Sequence, residues 1–417
     1  MKLMRVFFVL FVGLFMLCAC DKNKPEISLF DAVSTDKVDA LQYYLNKSKK
    51  NIKKTDKQKT PLIVLAAKHN ATNAMDLLIK KGADANAKDA NGNTALMWAA
   101  ENNYGKIAEL LLAAGVNVNL TDNKQQTALF KAVNKKHKEM LQTLLTAGAD
   151  PNIANRIKMT PLLLAFHYQD MEMISSLINA KADINATESN GFTPLIIATD
   201  NNSLDLVEAL ISLGADINSK DRGGDTALIR ASEKGYKDVV FFLLNAGADI
   251  NIQDNQGVNA LMWASRFGHV DIVKKLLELD QNVNAKTKYG ETALFLATGA
   301  SATDSARMQT VTMLLQAGAD PNAQTNNGFT PLMQTVYNST STIIAKLLLK
   351  AGANINAQND EGNTTLMLAV SEGNKILTNL LIERQADVSL KNKQGKTALD
   401  IAKEKGLTEI IKLLETK

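Results

Sequence analysis

The residues that could do chemistry in this chain of 417 residues are few and scattered. Its four histidines, His69, His137, His167 and His269, lie far apart with no cysteine cluster beside them. No H-E-x-x-H zinc motif, G-x-S-x-G elbow or phosphate-cradling G-x-x-x-x-G-K-[ST] loop occurs. Aspartate and glutamate are abundant, 43 in all. Many of them sit in Asn- and Gly-rich turns, where a carboxylate's ordinary work is to accept backbone N–H groups. The pattern therefore assigns no catalytic residue, no cofactor-binding residue and no metal ligand, and the chain reads as non-enzymatic.

The two cysteines, Cys18 and Cys20, carry the one clear chemical signal. Lys2 and Arg5 precede an apolar run from Val6 to Leu17, the layout of an export signal and too short for a comfortable membrane span. Leu17-Cys18-Ala19-Cys20 resembles a bacterial lipobox, which implies lipidation of Cys20 as the mature N-terminus. On that reading residues 1–19 are a lipoprotein signal peptide and 20–26 a short membrane-proximal linker, with the bilayer as a partner through acylated Cys20. Asp21 resembles the retention signal of inner-membrane lipoproteins, which implies a lipid-anchored place in the bacterial cell envelope, facing the periplasm of a Gram-negative cell. An ordinary cleaved signal peptide with a soluble product is the alternative. Loss of both cysteines as thiols leaves no disulfide and no thiolate site. The formal net charge of +4 is near neutral for this length and points to no nucleic-acid partner.

Stepping along the chain, one phrase recurs: Thr60-Pro61-Leu62, Thr94-Ala95-Leu96, Thr127, Thr160, Thr193, Thr226, Asn259, Thr292, Thr330, Thr364 and Thr397 each open a copy. Most steps are 33 residues, with exceptions of 34, 38 and 34. A Gly-Ala-Asp phrase follows about 21 residues later (Gly148, Gly214, Gly247), and a glycine stands two residues before most of the threonines (Gly92, Gly224, Gly257). This resembles the ankyrin repeat, whose period is 33 residues and whose hallmark is T-P-L-H-x-A. The resemblance covers about residues 27 to 417 and implies an all-α ankyrin-repeat solenoid of about 12 helix-turn-helix-hairpin units.

The phrase also has a physical reading. Threonine caps a first helix, and proline fits its first position. Small alanines admit the neighbouring helix. A second helix such as Val239-Val240-Leu243-Leu244 carries the larger apolar load and stops at a glycine. No copy can bury its apolar face alone, so copies must stack. Residues 27–59 read as a degenerate N-terminal capping repeat, 60–396 as the array and 397–417 as a C-terminal capping repeat. The expected body is a monomeric curved rod on the order of 100 Å long.

Departures from the pattern mark places to inspect. The histidine of T-P-L-H is replaced by apolar groups such as Met97, Ile229 and Met262, which predicts greater reliance on packing. Trp98 and Trp263, four residues into their copies, are read as core packing, with a ligand platform as the alternative. An insertion within 298–310 lengthens the turn between two helices and is either a binding loop or a tolerated surface loop. Seven lysines crowd residues 47–59, as a solvated basic face or a contact for anionic headgroups.

The resemblance implies binding of another protein on the concave side, built from hairpin tips and the exposed end of the first helix. Its variable contact positions lie four, three and one residues before each threonine and seven and eight after it. Read onto this sequence they are Ile157, Met159, Tyr168, Phe192, Val258, Phe267, Tyr289, Phe329 and Tyr337, with His167 and Arg266. Six of the chain's 22 aromatic residues fall there, which suits a hot spot. The expected function is a lipid-anchored protein-interaction scaffold. An inhibitor or immunity or effector protein acting on a toxin, an envelope enzyme or a host protein is the alternative.

Overall fold

The computed structural model describes residues 24–279, 282–299, 302–337 and 341–416. The segment read as an export signal, with Cys18, Cys20 and Asp21, lies outside the described residues. The chain forms two compact units that divide between Ser189 and Asn190. The first holds five helix pairs, from Leu29–Ser34 with Val38–Lys47 to Pro161–His167 with Met171–Asn179. The second holds seven, from Pro194–Asp200 with Leu204–Ser212 to Ala398–Glu404 with Thr408–Glu415. Among the described residues there is no strand, only the isolated bridges Thr55–Pro61 and Gln358–Thr364. This is the all-α repeat solenoid that the phrase predicts.

The copy opening at Thr226 shows how the sequence makes the unit. Thr226 Oγ1 accepts the Ile229 N–H at 3.3 Å and starts helix Ala227–Lys234. That helix buries Ala227, Leu228, Ile229, Ala231 and Ser232, because a first helix is flanked by the first helices of its neighbours. Ile229, in the place of the hallmark histidine, is 1% exposed, so the substitution feeds the core. The second helix, Lys237–Asn245, buries Val239, Val240, Leu243 and Leu244 on one face. Thr127, Thr160, Thr193, Thr292, Thr330 and Thr364 cap in the same way, and Asn259 does so with its amide oxygen, 3.0 Å from Met262 N. Pro161, Pro194 and Pro331 take the first helical position.

The copy assigned to Thr60 is a correction. Its helix is Leu62–Lys68, and Pro61, not Thr60, occupies the capping position. Asp56 Oδ1 accepts Gln58 N at 2.9 Å and Thr60 N at 2.7 Å. Thirty-three residues later Asp89 Oδ1 accepts Asn91 N at 2.9 Å and Asn93 N at 2.8 Å. The true step is thus 33, and Pro61 is the counterpart of Thr94. Proline can stand there because its φ of −62° and ψ of 150° suit a cap, at the loss of the hydroxyl.

The turns between copies form a ladder of their own. Asn255 N donates to Gly223 O (2.8 Å), Lys288 N to Gln256 O (2.8 Å) and Lys393 N to Glu361 O (2.9 Å). Gly224 makes the first of these approaches possible: its φ is +87°, and a Cβ there would lie 2.7 Å from Asn255 N. Gly247 has a similar φ of +89° but open space around it. Gly224→Ala is therefore expected to destabilise by about 2–4 kcal/mol and Gly247→Ala by only about 1–2 kcal/mol. Urea titration of both variants checks this; equal losses would mean that turn stacking contributes nothing.

The insertion is mostly helix. Thr303 caps a second helix, Asp304–Gln316, of 13 residues where the other copies use about nine. Its start packs on the preceding copy: a Cβ on Gly268 would meet Ala302 Cβ at 2.5 Å and Ala306 Cβ at 3.1 Å. At the ends, Leu29, Ala32, Val33, Leu41 and Leu45 form the core of the first pair, while Ile410 and Leu414 seal the last.

Candidate functional face

The face is built from the residue nine positions after each turn's acidic or amide residue. In the second unit, Asp221 Oδ1 closes its own turn by accepting Gly223 N (2.7 Å) and Asp225 N (2.9 Å). Its Oδ2 accepts from Arg230 Nε at 3.1 Å and from Nη2. Arg230 also reaches Asp200 (3.1 Å) and lies 3.8 Å from Asp225. Its guanidinium carbon stands 4.6 Å over the Phe192 ring. Lys234 bonds Asp200 at 3.0 Å, closing the network. Burial works against the charge of Arg230, but the bond to Asp221 and the charges of Asp200, Asp221 and Asp225 hold its pKa above the usual value.

Asp225 is the member left poorly served. Burial, then the charge of Asp221, push its carboxyl up to about 6, against a lesser pull from Arg230. A folded pKa above the unfolded value means that the native state keeps the extra proton between about pH 4 and 6. Its contribution is favourable at the acid end of that window and is lost as pH rises through 6. Asp225→Asn is therefore expected to raise stability at pH 7.5 by about 1–2 kcal/mol and by less at pH 4.5. Denaturation at pH 4.5, 6.0 and 7.5 reads the difference; a variant less stable than the parent at pH 7.5 would contradict it.

The next first helix, Ala260–Phe267, packs on that of Arg230. Trp263 and Phe267 stack on it with ring centroids 5.8 Å apart and planes at 6°, and Arg266 stands 5.5 Å over the indole. Among the described residues Trp263 Nε1 is buried without a hydrogen-bond partner, whereas Trp98 Nε1 in the first unit donates to Asp89 Oδ2 at 3.1 Å. The two tryptophans are thus half-buried members of the face, a correction to their reading as core. Trp98 extends beyond the core because the fourth position after its cap looks toward Asp89, the turn residue nine places earlier. Lys131 in the first unit obeys the same geometry, with Asp122 at 3.2 Å and Glu101 at 3.3 Å.

Of the residues expected to make contacts, Tyr289 is 61% exposed and Tyr337 53% exposed. Partial desolvation, then Glu372 and Glu361, raise the Tyr337 phenol, which keeps it a hydrogen-bond donor. Tyr289 lies over the preceding turn, with its hydroxyl 3.4 Å from Gln256 Oε1. Phe192, Phe267 and Phe329 are half-buried. In the first unit, Ile157 is exposed and Tyr168 half-buried; the Tyr168 hydroxyl donates to Asn134 Oδ1 (3.0 Å), and Lys136 lies 4.5 Å from its ring centre. Met159 is a correction: it is 9% exposed and belongs with the core, directly before the capping Thr160. The structure therefore joins Phe192 to Arg230, and Phe267 to Trp263, over which Arg266 stands. Phe329 and Tyr337 lie on the copy opening at Thr330.

Two of the four histidines bond between copies. His137 and His269 stand at the same place in their copies and donate to the carbonyls of Glu101 (3.2 Å) and Glu233 (3.0 Å) in the copies before. His167 lies 3.6 Å from Glu188.

Helix pairs stacked copy on copy, with charged and aromatic groups at recurring positions and with His137 and His269 bonded to the copies before them, define a repeat solenoid. The chain belongs to the ankyrin-repeat family: the family model for ankyrin repeats (3 copies) matches at residues 29–122, 129–221, 162–254, 228–324, 300–392 and 332–417. A comparison with curated proteins returns no match. Ankyrin repeats indicate a protein–protein interaction scaffold, and the family is typically a non-enzymatic interaction domain.

Proposed function

We propose that this chain is exported, anchored through acylated Cys20, and captures one protein partner on the open face of its second unit. One observation carries the choice of face: on two adjacent first helices, guanidinium groups lie over aromatic rings, Arg230 over Phe192 and Arg266 over Trp263. Tyr289 stands exposed beside them. Arginine and aromatic groups are the residues that most often dominate binding energy, since each supplies wide contact area with few freedoms to lose. The helical insertion packs on Gly268, next to Phe267, and flanks the same face. Lipid anchoring gives the scaffold a fixed place in the envelope and leaves the face for the partner.

The test is crosslinking of the membrane-bound chain in its own cells, beside a variant with Phe267, Tyr289 and Tyr337 changed to serine and confirmed folded by circular dichroism. One crosslinked partner is expected with the parent and at least a tenfold loss with the variant, which removes about 2–4 kcal/mol of contact energy. Capture that persists undiminished would move the site off this face. Radiolabelled palmitate should enter the parent and not Cys20→Ser; label in both would refute the anchor at Cys20.

A further inference from the structure

We propose that the lysine-rich turn at residues 47–59 is a docking surface for the anionic headgroup layer of a membrane, and that this second contact, beside the acyl chain on Cys20, sets how the array stands on the bilayer. The orienting role rests on the lipid anchoring proposed above; the headgroup contact has its own footing in the turn.

The turn carries Lys47, Lys49, Lys50, Lys53, Lys54, Lys57 and Lys59 against one acid, Asp56. All seven lysines are exposed. Asp56 is committed to the backbone N–H groups of Gln58 and Thr60. Among the described residues no ion pair holds Lys49, Lys50, Lys53, Lys54, Lys57 or Lys59. The next turn, by contrast, sets Asp84 and Asp89 against Lys88 alone. A concentration of unpaired ammonium groups repels itself, and a facing layer of phosphates relieves that repulsion within a Debye length.

The turn is also held in place. Ser48 caps a short 3-10 helix, Lys49–Lys53, by accepting Lys50 N at 3.3 Å. Asn51 is buried and its Nδ2 donates to Tyr44 O at 2.6 Å. The hydroxyl of that same Tyr44 donates to Ile27 O at 2.8 Å. One residue thus ties the lysine turn and the stretch of chain leading from Cys20 to the same helix, Val38–Lys47. Seven residue steps separate Cys20 from Ile27 and span at most about 25 Å even when fully extended. An acyl chain on Cys20 therefore brings the lysines close to the headgroups.

The local shape favours an amphiphile over a bare polyanion. A cleft of about 640 Å³ is lined by Leu45 and Ile52, with Lys49, Lys81 and Asn46 around them. Ile52 also borders a second cleft of about 440 Å³, lined in part by Lys53, Pro61 and Leu62. A phosphate fits the ammonium groups while the glycerol and ester carbons fit the apolar floor. The turn has no aromatic side chain on which a nucleic-acid base could stack.

The experiment uses the full chain, purified from membranes in detergent and reconstituted into vesicles of phosphatidylcholine alone or with about 30 mol% phosphatidylglycerol. Acetylation by a water-soluble reagent is followed lysine by lysine by mass spectrometry, with Lys391, Lys393 and Lys412 as remote controls. Modification of Lys49, Lys50, Lys53, Lys54, Lys57 and Lys59 is expected to slow about fivefold or more with phosphatidylglycerol and to recover in about 0.5 M salt, while the controls change less than about twofold. Equal rates in the two vesicle sets overturn the proposal. Equal protection by a single-stranded polynucleotide at matched phosphate also overturns it, in favour of a general polyanion site. Flotation separates the two readings. The parent should float with both vesicle sets. Cys20→Ser should float only with phosphatidylglycerol, and should lose that on changing the six lysines to glutamine. A parent that fails to float with phosphatidylcholine refutes the anchor, and its binding to phosphatidylglycerol vesicles still decides the patch.

Discussion

Replacing Arg230 by methionine is expected to destabilise the second unit by about 3 kcal/mol. The cause is what the substitution leaves behind. The Asp221 side chain is 2% exposed, and its Oδ2 faces Arg230. Without the guanidinium, the buried Asp221 carboxylate loses the cation bonded to its Oδ2 and is left beside Asp200 and Asp225, while the remaining cation, Lys234, is bonded to Asp200. Packing is largely conserved, since methionine follows the path of the arginine stem, so the loss reports on charge rather than on volume. Other copies of this same chain show the remedy. Where the position is apolar, at Leu164, Leu368 and Ile401, the turn residue nine places earlier is the neutral Asn155, Asn359 or Asn392. (Asp56, opposite Leu65, and Glu188, opposite Ile197, depart from this, and Leu296 has the neutral Thr287 nine places earlier.) Those amides still close their turns, as Asn155 does for Ile157 and Met159 at 3.0 Å each. Arg230→Met combined with Asp221→Asn should therefore recover most of the stability. Urea denaturation of the four chains of the cycle measures this; a loss under about 1 kcal/mol for Arg230→Met alone would show that water, not arginine, satisfies Asp221.

The second large effect belongs to the first unit. Phe166 is fully buried at the sixth position after its capping threonine, where other copies carry Ala100, Val133, Ser232 or Val370. A whole ring thus fills a place that the other copies before the last give to smaller groups. Phe166→Ala removes that volume from between helices that are fixed by their other contacts, and is expected to cost about 3–5 kcal/mol. Phe166→Val, the residue that other copies use, leaves a smaller cavity and should cost less. Hydrogen exchange of the full chain reads both locally, and protection in Pro161–His167 and its partner Met171–Asn179 should fall most. A loss no larger for alanine than for valine would mean that the neighbouring helices close over the space.

The repeat was legible because each copy states the same instructions: a capping oxygen, small residues where first helices meet, larger ones on the second helix. The register at Pro61 was hidden because the threonine one residue earlier mimics the phrase, and only the bonds of Asp56 reveal which residue caps. Trp98 and Trp263 read as core because apolar spacing does not say how far a side chain must reach to meet the turn. The Arg230 network left a signal that spacing alone could have given: Asp89 with Trp98, Asp122 with Lys131, Asp221 with Arg230 and Asp254 with Trp263 all stand nine residues apart. The division after Ser189 has no such mark, since the step from Thr160 to Thr193 is an ordinary 33 residues.

The ladder of turn-to-turn hydrogen bonds has a mechanical consequence. A chain held at a membrane by one end and by a bound partner elsewhere is under tension whenever the two move apart. Each copy is secured mainly to its immediate neighbours, so load is released one copy at a time rather than by collapse of a whole unit. Each release would pay out about 110–120 Å of extended chain for 33 residues. The array would then act as a stepwise force limiter, lengthening under a pull while the copies still folded keep their faces intact.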